Sequence, residues 1–240
     1  MRIALIGYGK MGQAIEKIAL ERGHEISCIV NSENPIEQVD FSKTDVSIEF
    51  TKPELATKHI IHCINASVPI VVGTTAWHEE LEPIKTLCFD KNGSLLYASN
   101  FSLGVNIFFE INKRLAELLS DHPEYQAEIE EIHHLQKLDA PSGTAIEIAK
   151  GIVSYNQNYN DWKTGVNELP KVEKDELPIL AKREPEVPGT HTVNYTSEID
   201  TISLTHQAHN RKGFALGAVI AAEWVVNKKG VFTMSNILNS

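Results

Sequence analysis

Cysteine is scarce in this chain of 240 residues: Cys28, Cys63 and Cys88 are its only three, each isolated in an apolar stretch. Their spacing suits no disulfide framework, zinc site or redox pair, and they read as reduced core residues. Positive charge is scarce as well, with 22 Lys and Arg against 32 Asp and Glu and a net charge of −10. That balance leaves no footprint for a phosphate backbone and excludes broad nucleic-acid binding. No run of about 18 apolar residues occurs, which argues against a membrane-spanning helix. The start of the chain lacks the basic and apolar regions of a secretory signal, so a cytoplasmic location is expected. Internal repeats, low-complexity segments and coiled-coil heptads are absent too. What is present is an ordinary globular composition, 42% hydrophobic and 22% charged, with enough apolar residues for a real core.

The first hundred residues alternate short apolar runs with amphipathic stretches. Strands are expected at Arg2–Ile6, Glu25–Val30, Val46–Phe50, Ile70–Val72 and Ser94–Ala98, and helices at Met11–Arg22, Pro53–Ala66 and Trp77–Asp90. Continuous β-branched runs such as Ile70-Val71-Val72 suit strands covered on both faces, and the fold class is α/β with a parallel sheet. After Gly104 the rhythm changes. A helix near Val105–Ser120, a strand near Gln126–Ile132 and a helix from Ser142 to Tyr155 open a second module of α+β type. Residues 156–188 read as irregular, with one short strand at most. His191–Ser197 and Ile199–Gln207 alternate like half-buried antiparallel strands of an open sheet. The final helix, Phe214–Asn227, is apolar on most faces and is expected to return to the first module. The domains are therefore 1–104 with 212–240, for a dinucleotide, and 105–211, for substrate and oligomerisation.

Gly7-Tyr8-Gly9-Lys10-Met11-Gly12 follows the first strand and opens the first helix, which is the context a G-x-G-x-x-G pattern needs. Its glycines permit the tight turn, the approach of a pyrophosphate and close helix–strand packing. The helix amides and dipole then attract the phosphates. An acidic residue about twenty positions on would normally grip the ribose. Here the second strand ends in Asn31, which can bond a ribose hydroxyl and does not repel a phosphate, so both NADH and NADPH remain open. Three more strand ends carry small polar residues: Thr51, Gly73-Thr74-Thr75 and Ala98-Ser99-Asn100-Phe101-Ser102. Ligands in open α/β sheets lie outside such carboxyl ends. Turn chemistry explains Thr51 and Ser102 equally well.

The segment Glu131-Ile132-His133-His134-Leu135-Gln136-Lys137-Leu138-Asp139-Ala140-Pro141-Ser142-Gly143-Thr144-Ala145 joins three ionisable groups to a helix start. Ser142 is placed to cap that helix. The amides of Gly143 and Thr144 would then point outward toward a carboxylate, with the Thr144 hydroxyl as a further donor. Glycine in a first helical turn costs about 1 kcal/mol relative to alanine and suits a ligand that comes close to the backbone. Adjacent histidines can also hold a metal, but no neighbouring Cys, His or carboxylate completes a known ligand spacing, and no metal is expected.

With this segment the chain resembles the 4-hydroxy-tetrahydrodipicolinate reductases of the diaminopimelate and lysine pathway. The resemblance rests on the glycine loop, Gly73-Thr74-Thr75, Ala98 to Asn106 and above all His133 to Ala145, with His206-Gln207-Ala208 and Arg211 to Ala215 at the end. It implies a Rossmann-type cofactor domain, a mixed α+β substrate domain, a homotetramer and use of NADH or NADPH. It also implies a small dicarboxylate substrate, with His133 and Lys137 as proton donors. Thr75, His134, Ser142, Gly143 and Thr144 would hold the substrate. Gly7 to Gly12, Asn31, Gly73 to Thr75 and Ala98 to Phe101 would hold the cofactor. Leu135-Gln136 stands where many members are basic, and Ala76 where glycine is common. Rival readings are an aspartate or homoserine dehydrogenase, which would share only the glycine loop, and a non-catalytic dinucleotide-binding regulator, which would need no proton donor.

Overall fold

A computed structural model describes residues 1–210 and 212–240, so Arg211 of the terminal motif lies outside the described residues. The chain starts with β1 (Arg2–Ile6), α1 (Lys10–Glu21), β2 (Glu25–Val30), β3 (Val46–Glu49), α2 (Pro53–Asn65), β4 (Ile70–Val72), α3 (Leu81–Asp90) and β5 (Ser94–Tyr97). A middle segment follows: α4 (Leu103–Leu118), β6 (Gln126–His133), α5 (Gly143–Tyr155), β7 (Asp161–Val166), β8 (Glu176–Arg183), β9 (Thr190–Thr196) and β10 (Thr201–Gln207). The chain ends with α6 (Lys212–Val225), β11 (Gly230–Phe232) and α7 (Met234–Leu238). Two compact units result, Met1–Leu103 with Lys212–Ser240, and Gly104–Arg211.

The first unit is built on a parallel six-stranded sheet of order β11-β5-β4-β3-β1-β2. Strand order reverses at β1, whose neighbours are β2 and β3, and this is where α/β sheets of this kind bind ligands. Alternation along each strand sends side chains to two separate cores. Ile3, Leu5, Ile48, Val71 and Leu96 pack under α1 and α6, while Ala4, Ile6, Val30, Ile70 and Leu95 pack under α2 and α3. Coverage on both faces explains why these strands read as unbroken apolar runs. The fold is α/β and Rossmann-type.

The second unit holds a mixed sheet of order β10-β9-β6-β8-β7. β6 is parallel to β8 and antiparallel to β9. One face carries Ala127, Ile129, Leu177, Ile179, Val193 and Tyr195, all buried against α4 and α5 through Phe108, Ala116, Ile148 and Ile152. Residues 156–188 depart from expectation, because they supply two strands, β7 and β8, rather than one at most. Pro178 is the reason the pattern was hard to see: it sits inside β8, between β6 and β7, where a residue without a backbone N–H is rarely found. β11 and α7 lie beyond the last expected helix.

Candidate active site

The glycine loop leaves β1 at the reversal point of the first sheet. Gly7 has φ +94°, and a Cβ there would sit 2.2 Å from the Phe50 carbonyl oxygen. A Cβ on Gly12 would sit 2.2 Å from the Gly7 carbonyl oxygen, so no side chain fits at either position. Gly9, by contrast, faces open space and is the N-cap of α1 without a side-chain cap, and no acidic residue stands in the first turn. The amides that open α1 therefore present positive potential to an anion. Tyr8 donates its hydroxyl to Glu16, and Lys10 is exposed at the helix start.

A cleft of about 250 Å³ adjoins this loop, lined by Met11, Phe50, Thr51, Pro53, Gly73, Thr74 and Thr75. The Thr74 hydroxyl accepts from the Thr51 amide (2.8 Å), and its carbonyl accepts from the Trp77 indole (2.8 Å). Thr74 thus ties two strand ends together, while Thr75 is exposed. Asn31 spends its carbonyl oxygen on the amides of Glu33 and Asn34 (2.9 and 2.8 Å), leaving its Nδ2 donor as the group for a ribose or a phosphate. After β5, Ala98 packs on the core, Ser99 is exposed and the Asn100 side chain accepts from the Ser102 amide. Phe101 stands apart from the other expected cofactor residues. Its ring is buried in the core against Phe50, so only its backbone can meet a ligand. The uncapped helix start, the glycine cradle and the strand-end donors fit a dinucleotide.

In the second unit the buried row of β6 runs Ala127, Ile129, Glu131, His133 and changes from hydrocarbon to polar at its end. The neighbouring strands change at the same level, because Arg183 is the register partner of His133 and His191 that of Glu131. Glu131 is fully buried, and both its oxygens accept from the Ser142 amide (3.1 and 3.0 Å), with the Arg183 guanidinium 3.5 Å away. Its Oε2 lies 3.6 Å from His133 Nδ1 and 3.8 Å from His191 Nε2. Donor atoms of Glu131, His133 and His191 fall within 4.8 Å of one another, a spread a metal ion would accept. The carboxylate is already balanced by Arg183 and the Ser142 amide, however, and we read no metal ligands here.

Burial pushes the His133 pKa below its usual value; Glu131 opposes this, while Lys137 and Arg183 add to it. His191, its ring 5.1 Å from that of His133, is pushed down to about 3, chiefly by burial. His133 Nε2 faces Gly189, where a Cβ would lie 3.1 Å from it. Lys137 is held by Asp139 (2.8 Å), and Arg183 fixes this loop through the carbonyls of Lys137 (3.3 Å) and Asp139 (2.6 Å). His134 is half-buried and turns the chain by accepting at its carbonyl from the Lys137 amide.

Ser142 is buried and caps α5 by accepting from the Ala145 amide (3.1 Å), with its hydroxyl also 3.1 Å from His191. Its part is to place the helix start, since its oxygen is directed inward. Gly143 is exposed and a Cβ there meets nothing within 4 Å, so the approach to α5 at Gly143, its first residue, is open. Sequence reasoning passed over Glu131, Arg183 and His191 as functional groups. The available signal was their phase: each sits on the alternation that elsewhere carries core residues. A larger hollow of about 560 Å³ lies at the opposite end of β6, among Gln126, Glu128, Glu173 and Glu176. Its acidic lining does not suit an anion, and at about 3.3 Å per strand residue it is far from His133.

Comparisons with known proteins give the family. The family model described as "Dihydrodipicolinate reductase, N-terminus" matches residues 1–101, and "Dihydrodipicolinate reductase, C-terminus" matches 104–238. The chain belongs to the dihydrodipicolinate reductase family. It is 47% identical over 241 residues to a 4-hydroxy-tetrahydrodipicolinate reductase from Christiangramia forsetii, covering 100% of this chain and 98% of the relative. A second relative of that name, from Staphylococcus saprophyticus, is 33% identical with 99% and 100% covered. Among solved structures, the dipicolinate-bound dihydrodipicolinate reductase from Paenisporosarcina sp. TG-14 superposes with a TM-score of 0.80 at 25% identity, covering 99% of both chains. The chain is thus an NAD(P)H-dependent reductase of the diaminopimelate and lysine pathway. None of the described helices is long and apolar enough to cross a membrane.

Proposed function

We propose that this reductase converts 4-hydroxy-tetrahydrodipicolinate to tetrahydrodipicolinate, with His133 giving the proton from Nε2 and Lys137 supporting it. The observation that carries the reading is the meeting, at the end of the central strand β6, of a buried histidine, a lysine and an open helix start. Hydride is the contribution of the bound NADH or NADPH. The chain's own task is to hold two carboxylates, orient the ring and deliver a proton. The amides of Gly143 and Thr144 at the start of α5, with His134, Thr144 and Thr75 as side-chain donors, suit the carboxylates. His133 suits the proton transfer because an imidazole can both carry a proton and give it up near neutral pH. Its Nε2 faces the small Gly189, while Nδ1 is turned to Glu131.

Gly7, Tyr8, Gly9, Lys10, Met11 and Gly12, with Asn31, Gly73, Thr74, Thr75, Ala98, Ser99, Asn100 and the Phe101 backbone, make up the dinucleotide site in this reading. Residues 1–104 with 212–240 are the cofactor domain, and 105–211 the substrate and assembly domain. A homotetramer belongs to the same reading, with the outer face of the second sheet, which carries Thr192, Asn194, Ser203 and Thr205, as the face another copy would cover. The place of action is the cytoplasm.

The experiment is loss of reduced-nicotinamide absorbance on mixing the protein with freshly generated 4-hydroxy-tetrahydrodipicolinate, with NADH and NADPH in parallel. Turnover that pyridine-2,6-dicarboxylate suppresses is expected. Tight cofactor binding without turnover by folded protein would overturn the reading in favour of a regulator.

A further inference from the structure

The geometry points to Glu131 as the positioning residue of the site: from inside the sheet its carboxylate holds together the His133 ring, the start of α5 and, through Arg183, the Lys137 loop. This deepens the proposed function and rests on its assignment of His133. Four separate pieces of chain meet at one carboxylate. Ser142 brings the N-cap of α5 to it through its amide, at 3.1 and 3.0 Å. Arg183, from β8, reaches it at 3.5 Å and spends its other N–H groups on the carbonyls of Lys137, Asp139 and Lys182. His133 presents Nδ1 at 3.6 Å, and His191 from β9 presents Nε2 at 3.8 Å.

A fully buried carboxylate is expensive to keep and demands partners on every side. The hydrocarbon that fills the rest of this face would serve stability as well. Two details give the placement a purpose. His133 Nδ1 is buried and has no hydrogen-bond partner among the described residues, and the nearest acceptor is Glu131 Oε2. The ring edge that carries Nε2 and Cδ2 is the one that lies against the small Gly189. Closing the 3.6 Å gap by about half an ångström would make a charge-assisted hydrogen bond that fixes the ring with Nε2 outward. Glu131 then steadies the protonated ring before the proton leaves, and the same carboxylate keeps the α5 amides in place for the substrate.

The test combines Glu131→Gln with His133→Gln. Glutamine keeps the size and an oxygen for the Ser142 amide but removes the charge beside Nδ1. Expected for Glu131→Gln is a fall in kcat of roughly 10- to 100-fold, with KM for dinucleotide and substrate within about twofold, on the scale of general acid catalysis. The limb of the kcat profile on which activity falls with rising pH should move down by about one unit. Glu131 raises the His133 pKa, while Lys137 and Arg183 lower it, Asp139 raises it, and the His191 ring packs against it, so removing Glu131 leaves a net downward pull. In a His133→Gln background Glu131→Gln should add little.

Wild-type kcat and pH limb in Glu131→Gln, with both lost in His133→Gln, would overturn the positioning role and leave the His133 assignment standing. Full turnover in His133→Gln would overturn the assignment itself. Equal cost of Glu131→Gln with and without His133 would show an effect that does not pass through the ring, and would also refute the proposal. If Glu131→Gln does not fold, Glu131→Asp keeps the charge but withdraws it by one methylene. A fall in kcat of about fivefold or more with the pH limb in place is then expected, and wild-type kcat would refute the role.

Discussion

Gly143→Ala should make the protein more stable and a poorer enzyme, and the two effects can be worked out separately. Gly143 is the first residue of α5, is exposed, and a Cβ there meets nothing within 4 Å. Alanine therefore fits without a clash and gains helix propensity of about 0.5–1 kcal/mol. For a chain of this size that is a rise in Tm of about 1–4 °C. The open space that makes the substitution harmless to the fold is the space through which a carboxylate must reach the Gly143 and Thr144 amides. A methyl group there would break or lengthen one charge-assisted hydrogen bond, worth about 1.5–3 kcal/mol, so KM for the substrate should rise roughly 10- to 150-fold. The dinucleotide KM should stay unchanged. Thermal unfolding followed by circular dichroism and steady-state kinetics with saturating NADPH measure the two sides. A more stable variant with unchanged substrate KM would refute the placement of a carboxylate at this helix start. A less stable variant would refute the claim that the glycine is there for the ligand.

Other perturbations test other parts of the structure. Ala76 has φ +62°, a region alanine enters at a cost of about 1 kcal/mol, so Ala76→Gly should raise the urea midpoint slightly, and no change would mean the strain is absent. Gly12→Ala would place a methyl group 2.2 Å from the Gly7 carbonyl oxygen, and fluorescence titration with NADH and NADPH should show both affinities reduced at least tenfold; retained binding would refute the tight-turn geometry. His191 has a folded pKa of about 3 against about 6.5 when unfolded, so the unfolded chain takes up the proton first. The stability it contributes is present above pH 6.5 and is lost as pH falls toward 3. Urea midpoints measured from pH 7.5 to 4.5 should fall, and His191→Gln should flatten the decline; parallel curves would contradict the assignment.

Strands β1 to β5 of the first sheet were legible in the sequence because they are covered on both faces and their β-branched runs leave few alternatives, whereas the three-residue β11 was too short to be read. Ends were displaced by only a few residues: α1 starts at Lys10, and the stretch from Trp77 begins as a 3-10 turn, His78–Glu80, before α3. β8 was hidden by Pro178, and β7 by a weak pattern that only pairing with β8 stabilises. At the site, His133, Lys137 and the Ser142 cap were visible because they are close in sequence. Arg183 and His191 were not, since they reach Glu131 only through parallel and antiparallel registers that a linear pattern does not contain. Glu131 itself was within the segment, and its place on the buried alternation of β6 was the clue.

The return of the chain to its first unit has a consequence for synthesis. α6 brings Ala215, Ala218, Val219, Ala222 and Val225 into one of the two cores beside the first sheet, and β11 extends that sheet beyond β5. A nascent chain that has emerged only as far as Leu103 therefore has its glycine loop but exposes the apolar face of Leu5, Ile48 and Val71. The second unit, continuous in sequence, can complete its fold on the ribosome before the first can. Ribosome-arrested chains ending before and after α6 should differ sharply in protease resistance of residues 1–103, and in their need for a chaperone.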